Sequence, residues 1–162
     1  MMSVITNSYA NVSSSFFGAK FGRFVEEMLV SPISNQTILL GYVTGGVARA
    51  LSVAVIVTIL SMFFTHLALY NLFAVVSITL LTAVLFSLLG FINGVYAKRF
   101  DDVSIVPTFV LTPLTYLGGV SFSIELLPDF WAGVAQLNPI LYVVNAFRFG
   151  ILGVSDVSLT GA

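Results

Sequence analysis

The chain has 162 residues, of which 58% are hydrophobic and only 8% charged, with a net charge of −1. A soluble domain carries about 25% charged residues, so a chain this poor in charge cannot cover a water-facing surface and must turn its outside to lipid. The absence of cysteine excludes disulfides, thiolate metal sites and cysteine nucleophiles, one histidine (His66) is too few for a histidine metal site, and no basic patch points to nucleic acid.

Charge clusters divide the chain. Met1 to Ala19 is uncharged but carries Ser3, Thr6, Asn7, Ser8, Asn11, Ser13, Ser14 and Ser15. It lacks the basic start and apolar core of a signal peptide, and residues 1–18 read as part of a span lined by protein. Residues 20–31 hold Lys20, Arg23, Glu26 and Glu27 among Phe21, Phe24, Val25, Met28 and Leu29. Apolar positions 21, 24, 25, 28 and 29 follow the spacing of an amphipathic helix, with the charges on the other face and Pro32 as its stop. So short a helix cannot cross a bilayer and is expected to lie along the membrane surface.

Between Ala50 and Ala97 only His66 could carry a charge. A span needs about 20 residues, so this run holds most of two, expected at about 38–64 and 72–97 with a turn near Thr65 to Asn71. Lys98 and Arg99 end the second span, and Asp101 and Asp102 follow. A third span is expected at about 103–122, kinked by Pro107 and Pro113. Two short apolar pieces then succeed each other, broken at Asn138 and Pro139. Region 124–152, with Glu125, Asp129, Asn138, Pro139 and Arg148, reads as re-entrant or interfacial helices, Phe130 and Trp131 suiting the headgroup level. Glu125, Asp129 and Arg148 either form a polar cluster or, more plainly, anchor their helices. The basic residues of 20–31 and 98–99 place both segments in the cytoplasm, with 124–152 outside.

Arg49 lies inside the first of the charge-poor spans. In lipid it would cost at least ~2.5 kcal/mol, so it either contacts a polar translocation path near its cytoplasmic mouth or, from about two turns inside, snorkels to the interface. Gly41 with Gly45, and Gly90 with Gly94, are GxxxG steps that let helices approach closely; packing within one chain is the preferred reading over a dimer contact. The acceptor patterns at Asn11 and Asn35 fall at or near the membrane and are discounted for glycosylation. No HExxH, GxSxG or lysine-bearing phosphate loop is present, nor a carboxylate pair among the spans. No catalytic site, metal or cofactor is therefore expected, and any ATP that powers the protein would be bound by another chain.

The stretch Phe21 to Pro32, followed by a glycine-rich span bearing Arg49, resembles the type-2 ABC transporter permeases. So do Leu117 to Phe122, Ile124 to Pro128, Leu137 to Pro139 and Arg148, which look like the signature region of the bacterial polysaccharide and drug exporters. The resemblance implies an all-α, polytopic helical bundle of the bacterial inner membrane, working as a dimer with a second permease copy and two ATP-binding subunits. Residues 20–31 would be its coupling helix, Lys20, Phe21, Arg23, Phe24, Glu26 and Glu27 marking it and Glu26 and Glu27 on the contact surface. It also implies truncation of this chain at both ends, the first span and part of the second preceding Met1 and the sixth following Ala162. An ion-gradient-driven transporter or channel, lacking acids within the spans, ranks below; a non-transporting fragment is the third reading.

Overall fold

The computed structural model describes residues 1–64, 71–118, 130, 133 and 137–153, and every regular element among them is a helix. These are α1 (Met2–Phe21), α2 (Phe24–Val30), α3 (Asn35–Phe64), α4 (Leu72–Tyr96), α5 (Phe100–Val106), α6 (Thr112–Leu117) and α7 (Pro139–Leu152), a π-helical turn (Pro107–Leu111) joining α5 to α6. At 30 and 25 residues, α3 and α4 are both long and apolar enough to cross a membrane.

Helix α1 lies at the centre. Val4, Ile5, Ser8, Tyr9, Val12, Ser13, Phe16 and Phe17 are buried, two adjacent positions every fourth residue, which is one continuous face of a helix. Ser8 does not break the helix, because its Oγ donates back to the Val4 carbonyl at 2.7 Å. Opposite, α4 buries Thr79, Thr82, Ala83, Phe86, Ser87, Gly90 and Gly94, a mostly small-residue face that lets the backbones close up. A Cβ on Gly90 would overlap the Tyr9 carbonyl oxygen, and one on Gly94 would sit 3.1 Å from that of Ser13. These contacts show α1 and α4 running parallel. Helix α3 runs antiparallel, Gly46 meeting Ser8 and Val12 while Ala50 packs with Val4 and Ala83.

The glycine steps therefore differ. Gly90 and Gly94 pack within the chain as expected, whereas Cβ atoms on Gly41 and Gly45 would have nothing within 4 Å. That pair sits on an open face of α3, which corrects its reading as internal packing.

Apolar side chains cover much of the outside, including Val55, Ile59, Phe63, Leu81, Leu85 and Ile92, as a lipid-facing bundle requires. The largest internal cluster joins Ile5, Tyr9, Phe86, Leu111, Ile140 and Val144. Helix α7 enters it by its N-terminus: Pro139 opens the helix, and buried Asn138 accepts from the Ile140 N–H at 3.0 Å while donating to the Leu114 carbonyl. Its other end meets the start of α4, where the Asn71 N–H donates to the Gly150 carbonyl at 2.9 Å. Gly153, in the left-handed region at φ 72°, ends it. The π-turn has a local cause. Pro113 lacks the N–H that would meet the Phe109 carbonyl, and the Thr112 N–H and hydroxyl both turn to the Pro107 carbonyl.

Candidate functional site

Three places gather the residues singled out in the sequence. The first is the end of the bundle where α1 and α4 finish. The helix expected over 20–31 is divided there. Lys20 and Phe21 complete α1, Gly22 and Arg23 form a turn, and α2 starts at Phe24. The division follows from Arg23, the one described non-glycine residue with positive φ, at 61°, a conformation that interrupts a right-handed helix. A Cβ at Gly22 would meet the Phe24 ring at 2.8 Å, so a larger residue there would displace that exposed ring. Helix α2 then buries none of its residues. Val25 and Met28 are half-buried, and Phe24, Glu26, Glu27, Leu29 and Val30 are exposed.

The corner is held firmly. Lys20 Nζ donates to the carbonyls of Val95 at 2.6 Å and Ala97 at 2.9 Å, filling acceptors left open at the end of α4. Phe100 packs edge-on to Phe17 with ring centroids 4.8 Å apart and lies 5.1 Å from Phe21. Asp102 Oδ2 accepts from the N–H groups of Lys98 and Arg99, both at 2.9 Å. These bonds, more than the neighbouring cations, hold its carboxyl below the ordinary 3.8. Residues 20–27 and 98–102 thus share one end, where Glu26, Glu27 and Asp101 are the exposed acids.

The second place surrounds Arg49. It is the fifteenth of the thirty residues of α3, about 21 Å from the first at 1.5 Å per residue. Along the helix this is four turns from the start, not two, because α3 begins at Asn35. Arg49 is exposed on the chain, and its Nη1 donates to Asn11 Oδ1 on α1 at 3.2 Å. Side chains lean toward their own helix N-terminus, so on antiparallel α1 and α3 the two lean toward each other. In the sequence Asn11 stands out as one polar residue among several and as a discounted acceptor pattern; nothing in the local pattern links it to a partner 38 positions away. A second such link joins Asn93 Nδ2 to Ser13 Oγ at 3.1 Å.

The third place is α7, which holds Asn138 at its cap, Pro139 in its first turn and a half-buried Arg148. Glu125 and Asp129, like Trp131 and His66, lie outside the described residues. Among the described residues no group of acids, histidines or cysteines is placed to hold a metal ion.

The sequence is similar to known proteins. The family model for the ABC-2 type transporter matches residues 1–152. The chain is similar to the inner membrane transport permease YadH of Escherichia coli strain K12, 60% identical over 159 residues that cover 98% of this chain and 62% of that protein. Nodulation protein J of Rhizobium leguminosarum bv. viciae is 27% identical over 145 residues, covering 83% of this chain and 54% of the relative. The chain thus spans somewhat over half the length of these curated relatives. No solved structure matches. With a family match running over nearly its whole length, the chain is a membrane protein that belongs to the ABC-2 type transporter family.

Proposed function

We propose that this chain forms the membrane-spanning permease part of an ATP-driven exporter in a bacterial inner membrane, its path built with a second copy and its ATP hydrolysed on separate ATP-binding subunits. Helix α2 is its coupling helix. The observation that carries the reading is α2 itself: a seven-residue helix without a buried residue, presenting Glu26 and Glu27 outward from the end that also bears Lys98 and Arg99. It is too short to span a membrane, and its exposed acids suit a complementary protein surface. The clustering of basic residues at this end favours the cytoplasmic side, where ATP is available. The opposite end, with Asn71 and Gly150, is then external, and α7 belongs to a re-entrant region dipping from that side into the bundle.

Closure of the ATPase dimer would push α2. The push would pass into α1 and α4 through the Gly22–Arg23 corner and the Lys20 bonds to Val95 and Ala97. Rocking of the bundle against the second copy then opens the path alternately to each side.

Co-purification tests the reading. The wild-type chain should capture its ATP-binding subunit, and Glu26→Lys combined with Glu27→Lys should lose it while still inserting in the membrane. Capture by the double variant at wild-type stoichiometry would remove the docking role from α2.

A further inference from the structure

Among the described residues the guanidinium of Arg49 has no acidic partner. Its hydrogen bond within the described residues is to the neutral amide of Asn11. The seven acids of the sequence are Glu26, Glu27, Asp101, Asp102, Glu125, Asp129 and Asp156, so none lies on α1, α3 or α4. A second copy of the chain likewise has no acid on those helices to offer. Yet Arg49 sits halfway along an apolar helix, level with the middle of α4: its neighbour Ala50 packs on Ala83, and α4 runs Leu72–Tyr96. A lone cation at that depth is among the most unfavourable groups a membrane protein can hold, and it persists where a partner or a water-filled cavity meets it.

Its surroundings are polar and open. Asn7 and Ser14 on α1 lie on the same side of the helix as Asn11, spaced four and three residues from it. Ser52 lies one turn from Arg49 on α3, and the Gly41–Gly45 face next to it is unfilled. Hydroxyls here are already spent as donors: Ser14 Oγ on the Ala10 carbonyl and Ser52 Oγ on that of Ala48. Asn7 Nδ2 likewise donates to the Ser3 carbonyl. The remaining donors are the guanidinium N–H groups not used on Asn11 and the Nδ2 of Asn11 beside them. Two convergent donor groups, one charged, with no further hydrogen bond among the described residues, are the complement of an anionic oxygen group.

We propose that Arg49 and Asn11 form an anion-binding site within the membrane, taking a carboxylate or phosphate group. On the permease reading, on which this cargo assignment rests, the exporter's cargo carries such a group and presents it to Arg49 in transit. Asn11 orients the guanidinium and adds its own N–H.

The test is equilibrium binding of radiolabelled decyl phosphate to the full chain in phosphatidylcholine nanodiscs, with decanol as the uncharged comparator. Arg49→Gln should weaken decyl phosphate binding by about tenfold or more while leaving decanol unchanged. Arg49→Lys should retain most of the affinity, and Asn11→Ala should fall between. Size-exclusion profiles establish that the variants are folded. Exchange of part of the lipid for phosphatidylglycerol separates the sources: unchanged binding assigns the site to a solute, and competition assigns it to a lipid phosphate, which upholds the anion site but removes the cargo assignment. Equal affinity of Arg49→Gln and wild type, or equal loss of decanol, would overturn the proposal. Capture of the ATP-binding subunit, read on the same samples, reports on the permease assignment separately.

Discussion

The ammonium of Lys20 bridges the main-chain carbonyls of Val95 and Ala97, at 2.6 and 2.9 Å, and so fastens the last turn of α1 to the end of α4. The cation also meets the negative end of the α4 dipole. Lys20→Met should destabilise the bundle by about 1–2 kcal/mol, seen as a lower thermal midpoint in detergent.

The two glycine steps should answer differently to the same substitution. Gly90→Ala drives a methyl group into the Tyr9 backbone, which cannot retreat without shifting α1, and should cost about 1–3 kcal/mol. Gly41→Ala points into open space and should be neutral or stabilising by up to about 1 kcal/mol from helix propensity. Parallel thermal melts of the two variants decide it.

Asp102 gives the 98–102 corner a pH dependence. Its folded-state value lies below the ordinary 3.8 because the N–H groups of Lys98 and Arg99 bond to the charged form. The contribution is therefore complete above the unfolded value and is lost as pH falls through the folded one. Asp102→Asn should flatten the acid side of the stability curve below about pH 4 and leave the neutral side's slope unchanged. Identical acid limbs for variant and wild type would contradict this.

Asn138 should be the most sensitive residue of α7. Its amide caps Ile140 and occupies the Leu114 carbonyl in the buried cluster, so Asn138→Leu leaves both groups unpaired. The expected loss is about 2–4 kcal/mol, with hydrogen exchange rising first in α7 and around Leu114.

Much of this architecture is legible in the residues alone. Charge scarcity dictates lipid exposure, and charge-free stretches of sufficient length mark α3 and α4 as membrane-capable helices. Asn138 and Pro139 carry a helix-start signal of their own. What escapes such reading is either conformational or distant. Arginine at position 23 gives no hint of a left-handed turn, so the break between α1 and α2 is hidden inside an unbroken amphipathic pattern. Lys20 looks like a surface charge because its acceptors lie 75 and 77 positions away. How far along its helix Arg49 lies depends on where α3 begins, and a span expected from about residue 38 leaves out the polar first residues Asn35, Gln36 and Thr37. Equal GxxxG spacing likewise cannot say that Gly90 and Gly94 are covered by α1 while Gly41 and Gly45 are bare.

The coupling role proposed for α2 is open to a direct measurement because the chain contains no cysteine, so a single introduced thiol is a unique handle. Glu27→Cys, carrying a short thiol-reactive photocrosslinker, should yield a covalent adduct with the ATP-binding subunit in membranes, and Phe73→Cys at the opposite end should yield none. An adduct from position 73, or none from position 27 in membranes where the two subunits co-purify, would contradict the account.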